Sequence, residues 1–259
     1  VTSRRTSGTG STTTRGWDGL VAWGPGQVLA KLGGDHHHDV RLVELDGRRR
    51  VARLGTHGDA ALEWELDLLE QLHAAGVNVA RPIRTADGRR RVGPLVVFEE
   101  VEGPPPTTRR DWDDVASALR WLHRITADWP QRPGRRTSVE LARGGTSDDL
   151  TATPLPPRIL DRCRGAWGRL DERDLAVVLG EVRADVIRMT PRGPVFLDWT
   201  GARVDDPALD LAGLPEDASP LDRRRRWSAS QALAAWTVAR SWSVDLGHAR
   251  QALDTIRWP

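Results

Sequence analysis

The 259-residue chain has no tyrosine, one methionine, one cysteine and two phenylalanines. A lone cysteine, Cys163, excludes a disulfide framework and a cysteine-built zinc site. Lysine is nearly missing as well: Lys31 is the single one, and arginine supplies the rest of the 38 basic residues. Against 36 acidic residues this leaves a formal charge of +2, too small a field for general nucleic-acid binding. The one dense basic cluster, residues 223–226, reads as a solvated helix start. No window approaches about 18 consecutive apolar residues, so no membrane span is expected. The basic N-terminus lacks the apolar stretch of a secretory signal, and a cytoplasmic protein is expected. What is plentiful is ordinary for a globular chain, 39% hydrophobic and 29% charged residues. The 12 tryptophans are the exception, and no function attaches to them.

Residues 1–16 are Ser, Thr, Gly and Arg with almost no apolar content, which predicts a disordered arm. VRLVEL (40–45) alternates apolar and polar residues, Asp46 and Gly47 supply a hairpin turn, and RRVARL (49–54) pairs back. Leu62, Leu66, Leu69 and Leu72 recur at helical spacing after Asp59, with Gly76 as the stop. RPIRT (81–85) and PLVVFEEV (94–101) read as strands around a turn at Asp87 and Gly88. A Pro-rich break after Gly103 marks a boundary, giving residues 17–102 and 103–259 as separate lobes. Beyond it the pattern is mainly helical: 111–126, 158–170 and a tail from Leu221 onward. A loop-rich stretch (129–157) and two short apolar runs around a turn at 191–193 interrupt it.

The densest chemistry lies in residues 179–198, LGEVRADVIRMTPRGPVFLD. A hairpin between Asp185 and Asp198 brings its ends together, so Glu181 or Asp185 can face Asp198. Asp198 ends an apolar run, which projects its carboxylate from a rigid strand. One carboxylate for a metal and another near an attacking hydroxyl is what magnesium-assisted phosphoryl transfer needs. Other candidates are weaker. His36, His37 and His38 are consecutive, so neighbours point to opposite faces, and a polar loop tip is the plainer reading. Gly33 and Gly34 beside them are a weak phosphate-loop signal. His123 sits on an apolar helix face and reads as a hydrogen-bonded core histidine. No G-x-S-x-G is present to support a serine hydrolase.

From about residue 28 to 253 the chain resembles the aminoglycoside phosphotransferase family, within the protein-kinase-like superfamily that includes choline kinase. The family carries H-G-D-x-x-x-x-N, a hairpin, I-D-W or I-D-F, and D-P-x-x-D-L-A. The corresponding stretches here are LGEVRADV, MTPRGPVFLDW and DDPALDLA. GGDHHHDVRLVELDGRRRVARL resembles the nucleotide-loop hairpin, ALEWELDLLEQLHAAGVNVARPI the helix with the ion-pair glutamate, and PLVVFEEVEG the hinge. The resemblance implies a two-lobed α+β kinase-like fold, a small antiparallel sheet with one helix and then a larger, mainly helical lobe. The nucleotide is expected between the lobes, with ATP and Mg2+ as cofactors. By position, Arg53 takes the place of the phosphate-binding lysine and Glu65 that of its helix partner. Glu99, Glu100 and Val101 match the hinge, and Asp198 matches the magnesium-binding aspartate. Asp206 and Asp210 fall on the segment that supports the catalytic loop.

The departures from the motif carry equal weight. Leu179 stands where the family has histidine, Glu181 where it has the catalytic aspartate, and Val186 where it has the metal-binding asparagine. Glutamate remains a base, but its extra methylene moves the carboxylate by roughly 1 Å, which can cost about a hundredfold in rate. Valine offers no ligand atom, and Asp185 is the neighbouring replacement. Two readings follow. One is a slow ATP-dependent kinase acting on a hydroxylated small molecule such as an aminoglycoside, with Glu181 as base. The other is a pseudokinase that keeps the fold and binds a nucleotide or partner. A nucleic-acid role for the arginine cluster comes third.

Overall fold

The computed structural model describes residues 16–33, 38–56, 58–152 and 154–257. The expected arm at 1–15, the loop residues Gly34, His36 and His37, and His57 lie outside them. Two compact units result, and the division falls within one helix. One unit runs up to Leu62 and takes in Arg81–Glu100, and the other comprises Glu63–Ala80 and Val101 onward.

The first unit is a four-stranded antiparallel sheet in chain order: β1 (Gly26–Gly33), β2 (His38–Leu45), β3 (Arg48–Gly55) and β4 (Leu95–Glu99). The β2–β3 hairpin closes at Leu45↔Arg48. Asp46 (φ 49°) and Gly47 (φ 70°) both take the left-handed conformation that such a two-residue turn requires. Alternation along the strands buries Val43, Leu45, Ala52, Leu95 and Val97. These pack with Trp17 and Trp23, which belong to a short 3-10 helix (Trp17–Trp23) that the sequence pattern did not reveal. Residues 81–85, expected as a strand, make only an isolated bridge, Pro82↔Phe98. Proline has no N–H to extend a ladder.

Helix α1 (Asp59–Ala74) follows the predicted leucine spacing and ends on Gly76 (φ 81°). There the Val77 N–H reaches back to the Leu72 carbonyl at 2.9 Å, a left-handed cap. The second unit is mainly helical. Helix α2 (Arg109–Ile125) begins with a reciprocal capping box between Thr108 and Asp111 and buries Val115, Leu119, Leu122 and His123 on one face. The loop-rich stretch contains two short helices, α3 (Ser138–Ala142) and α4 (Asp148–Ala152), and α5 (Pro157–Trp167) follows. The two apolar runs form strands: β5 (Ala176–Val178) pairs with β8 (Arg203–Asp205), and β6 (Ile187–Thr190) with β7 (Gly193–Phe196). After α6 (Ala208–Ala212) the tail divides into α7 (Arg223–Ser241) and α8 (Leu246–Thr255), the break set by Asp245 capping the His248 N–H.

Trp167 and Trp236, both fully buried, meet at 5.2 Å between ring centroids and anchor α5 against α7. Cys163 lies in the same core, where burial pushes its thiol up to about 12 and leaves it inert at neutral pH. The basic cluster is only partly solvated. Arg225 binds both oxygens of buried Asp206 at 2.8 and 2.7 Å, and Arg226 donates to the Leu214 carbonyl at 2.9 Å. No helix among the described residues is long and apolar enough to cross a membrane.

Candidate functional site

The loop before Glu181 is held from below. Asp210, on α6 and 1% exposed, accepts the N–H groups of Leu179 and Gly180, each at 3.0 Å, one on each carboxylate oxygen. His123 completes the arrangement, its Nε2 3.0 Å from Asp210 Oδ2. The histidine is therefore the hydrogen-bonded core residue its position implied. Gly180 (φ 81°) permits this path: a Cβ there would sit 2.7 Å from Arg203 Nη1 and 3.0 Å from the Gly201 carbonyl. Leu179, in the histidine position of the motif, is buried and contributes packing where a histidine offers a polar group.

The loop itself is exposed and organised by one cation. Arg183 Nη1 lies 2.5 Å from Glu181 Oε1, while its Nε and Nη2 reach the two oxygens of Asp185 at 2.9 and 3.0 Å. Hydrogen bonding from Arg183 holds the Asp185 carboxyl below its ordinary range, and the acids raise the guanidinium in turn. Arg240, from the end of α7, adds a second positive charge. Its Nη2 is 3.4 Å from the Gly180 carbonyl and 3.9 Å from Glu181 Oε2. Val186 contributes its carbonyl to the Leu197 N–H at 3.0 Å and offers no side-chain ligand.

The Ile187↔Phe196 register closes the hairpin next to Asp198. Asp198 is exposed, and its Oδ1 accepts both the N–H and the hydroxyl of Thr200, at 2.9 and 2.7 Å. This local turn fixes the carboxylate. The residues after it are gripped by Arg132, which is 1% exposed. One guanidinium nitrogen donates to the carbonyls of Trp199, Thr200 and Ala202 at 2.9–3.2 Å, and the other binds Glu65 Oε2 at 3.1 Å. Gln131 adds paired main-chain bonds to Val204. Glu65 is fully buried and met by Arg132, a residue that no motif or periodic pattern marks.

A parallel network underlies β8. Arg203 donates to Asp205 at 2.9 Å and stacks 3.8 Å from the Trp236 ring centroid. Asp205 in turn accepts the N–H and hydroxyl of Ser138. Asp206 accepts the N–H groups of Asp171 and Ala208. Burial nevertheless raises its carboxyl above the ordinary value, against those bonds and Arg225. Both acids of the D-P-x-x-D stretch, Asp206 and Asp210, therefore serve as buried supports.

Among the described residues no cluster of three or more His, Cys, Asp or Glu side chains could hold a metal. Asp185 is committed to Arg183, and Val186 has no donor atom. The donor set fits one ion of the kind that takes a single carboxylate and completes its shell with phosphate oxygens and water. The exposed carboxylate of Asp198 has the chemistry for that place. It does not fit a second protein-held ion.

In the first unit, Arg53 is buried on β3 between its ladder partners Val40 and Val96, with its guanidinium 5.2 Å from the Phe98 centroid. Glu99 ends β4, donating its N–H to the Arg81 carbonyl at 2.9 Å and facing the Arg81 side chain at 3.4 Å. Glu100 pairs with Arg49 at 2.7 Å. Val101 begins the second unit.

A sequence model of the phosphotransferase enzyme family matches residues 28–243. A search of curated proteins gives no match. Among solved structures, a microcompartment-associated aminopropanol kinase is similar at 17% identity and TM-score 0.67, covering 95% of this chain and 94% of its own. An aminoglycoside phosphotransferase, APH(4)-Ia in apo form, is similar at 11% identity and TM-score 0.65, with 92% and 96% covered. An amicoumacin kinase in complex with AMP-PNP, Ca2+ and Ami is similar at 12% identity and TM-score 0.61, with 88% of each chain covered. Such likenesses establish the two-lobed, protein-kinase-like fold. With most of its length matched, the chain belongs to the phosphotransferase enzyme family.

Proposed function

We propose that the protein is an ATP-dependent kinase acting on a hydroxyl of a small molecule, with ATP drawn from the cytoplasm. The observation that carries this reading is the anchored loop: Asp210, met by His123, holds the main chain just before Glu181, and the exposed carboxylate of Asp198 follows the Ile187–Phe196 hairpin in the chain. Glu181 is assigned as general base. It accepts the acceptor's proton while that oxygen bonds to the γ-phosphorus and the bond from phosphorus to the β,γ-bridging oxygen breaks, releasing ADP. Asp198 is assigned as the protein ligand of a single Mg2+, which when bound neutralises phosphate charge. Arg53 is assigned to the phosphates. The Glu99 N–H is already used within the first unit, so the adenine edge falls to the main chain of Glu100 and Val101. Glu65, paired with Arg132, positions the loop after Asp198.

Transfer should be slow. Glu181 has its carboxylate engaged by Arg183, and Val186 removes a metal ligand from the motif. The pseudokinase reading rests on one observation, that Arg183 engages both Glu181 and Asp185. The two are separated by ATP binding with and without Mg2+, measured by calorimetry, followed by γ-phosphate transfer to a panel of hydroxylated acceptors. Binding with acceptor-dependent ADP formation supports the kinase. Binding without transfer to any acceptor favours the pseudokinase.

A further inference from the structure

Aminoglycosides are polycations and need acidic surroundings, yet the base position here is flanked by guanidinium groups. Arg183 contacts Glu181 at 2.5 Å and Arg240 approaches it at 3.9 Å from a different element. Behind them stand three more arginines of the same unit, each with a carboxylate in contact. Arg132 has Glu65, Arg203 has Asp205, and Arg135 has Asp149. Burial and the charges of Arg132, Arg203 and Arg240 push Arg135 down to about 9, with Asp148 opposing, which registers a crowded cationic neighbourhood. Arg240 differs from the other three. Its nearest carboxylate is beyond hydrogen-bond distance and already shared with Arg183, and its carbonyl contact at 3.4 Å is long. It is packed closely over Gly201, where a Cβ would stand 2.7 Å from Nη1. Its side chain remains 26% exposed, so a ligand can reach it.

We propose that Arg240 is an acceptor-binding residue that receives an anionic group, a carboxylate or phosphate, carried next to the hydroxyl that faces Glu181. The inference rests on the assignment of Glu181 as the base of a small-molecule kinase and narrows its acceptor class. A planar, partly exposed guanidinium whose own contacts are long, with bonding capacity in reserve, suits a carboxylate or phosphate. The same charge disfavours an amine at that place, so the site selects by attraction and repulsion together.

The test uses three-carbon probes of similar size and different charge: glycerate, glycerol and 1-amino-2-propanol. Their binding to the full chain is measured by calorimetry without ATP, so the nucleotide's phosphates cannot be the source of any preference. ATP binding is measured separately. A charge-assisted contact predicts glycerate affinity about tenfold or more above that of glycerol, with the amine weakest. Arg240→Gln should abolish the advantage and Arg240→Lys should keep most of it, with unfolding midpoints unchanged as the folding control. Equal affinity for the three probes, undetectable binding included, would overturn the proposal. So would an advantage that survives Arg240→Gln, or a loss confined to ATP. Failure of the kinase reading has a different signature, namely no ATP binding, or ATP binding without phosphate transfer to any acceptor, whatever the glycerate result.

Discussion

The support beneath the loop at 180–186 and the loop itself have been treated differently by this sequence. Asp210, Asp205, Glu65, Arg132 and Arg203 are all nearly or fully buried, and each is tied to main-chain or side-chain partners. Glu181, Arg183 and Asp185 are exposed and bind mainly one another. The motif departure at Glu181 falls in that second group, the one at Val186 lies beside it at a half-buried position, and the one at Leu179 substitutes packing for a polar group. An exposed position tolerates a changed charge or length at little cost in stability, whereas a buried ion pair cannot lose one partner cheaply. Architecture can therefore persist while chemistry shifts.

The largest expected effect belongs to the support. Arg132→Met leaves Glu65 buried without this partner and should cost about 3–5 kcal/mol. Asp210→Ala removes three hydrogen bonds at once and should cost about 3 kcal/mol or more. Glu181→Ala and Val186→Asn should stay within about 0.5 kcal/mol. Urea unfolding of the set checks this, and a loop variant as costly as Arg132→Met would break the distinction between the two regions.

A smaller effect, on rate, sharpens the comparison from the other side. Restoring the motif with Glu181→Asp and Val186→Asn together should raise transfer more than either change alone, by up to about a hundredfold. The two residues act on one site, so their effects should not simply add. Val186→Asn by itself should strengthen the dependence of ATP binding on Mg2+, followed by titration at fixed nucleotide.

Smallest is a titration. Asp185 is depressed by Arg183, so its contribution to stability is present above its unfolded value of 3.8 and is lost as pH falls through the folded value. Arg183→Gln should move the Asp185 carboxyl up toward 3.8 and remove that acid-side dependence, read by NMR. Asp206 has the opposite sign. Its raised value means stability falls as pH rises from 3.8 through the folded value, and Asp206→Asn should flatten that slope.

How far these features could be read in advance followed their range in sequence. The hairpin at Asp46 and Gly47, the stop at Gly76 and the leucine face of α1 are set by neighbours a few residues apart, and periodicity carries such information. Asp206 and Asp210 were legible as supports because the motif fixes their place. Arg132 was not: it lies in a Pro- and Arg-rich stretch with no periodic pattern, and its partners are 67 to 70 residues away in either direction. Strand β8 was missed for the same reason, since RVD is short and its partner is 176–178. Arg183 was closer to view, because a basic residue between Glu181 and Asp185 has both acids within reach of its fork.

The most direct test follows labelled γ-phosphate from ATP to hydroxylated acceptors, glycerate among them, in the unmodified protein and in Glu181→Ala. The account predicts slow, acceptor-dependent transfer that disappears in the variant while ATP binding and stability are kept. Rapid turnover that survives Glu181→Ala would place the base elsewhere, and no transfer to any acceptor despite ATP binding would contradict the kinase assignment.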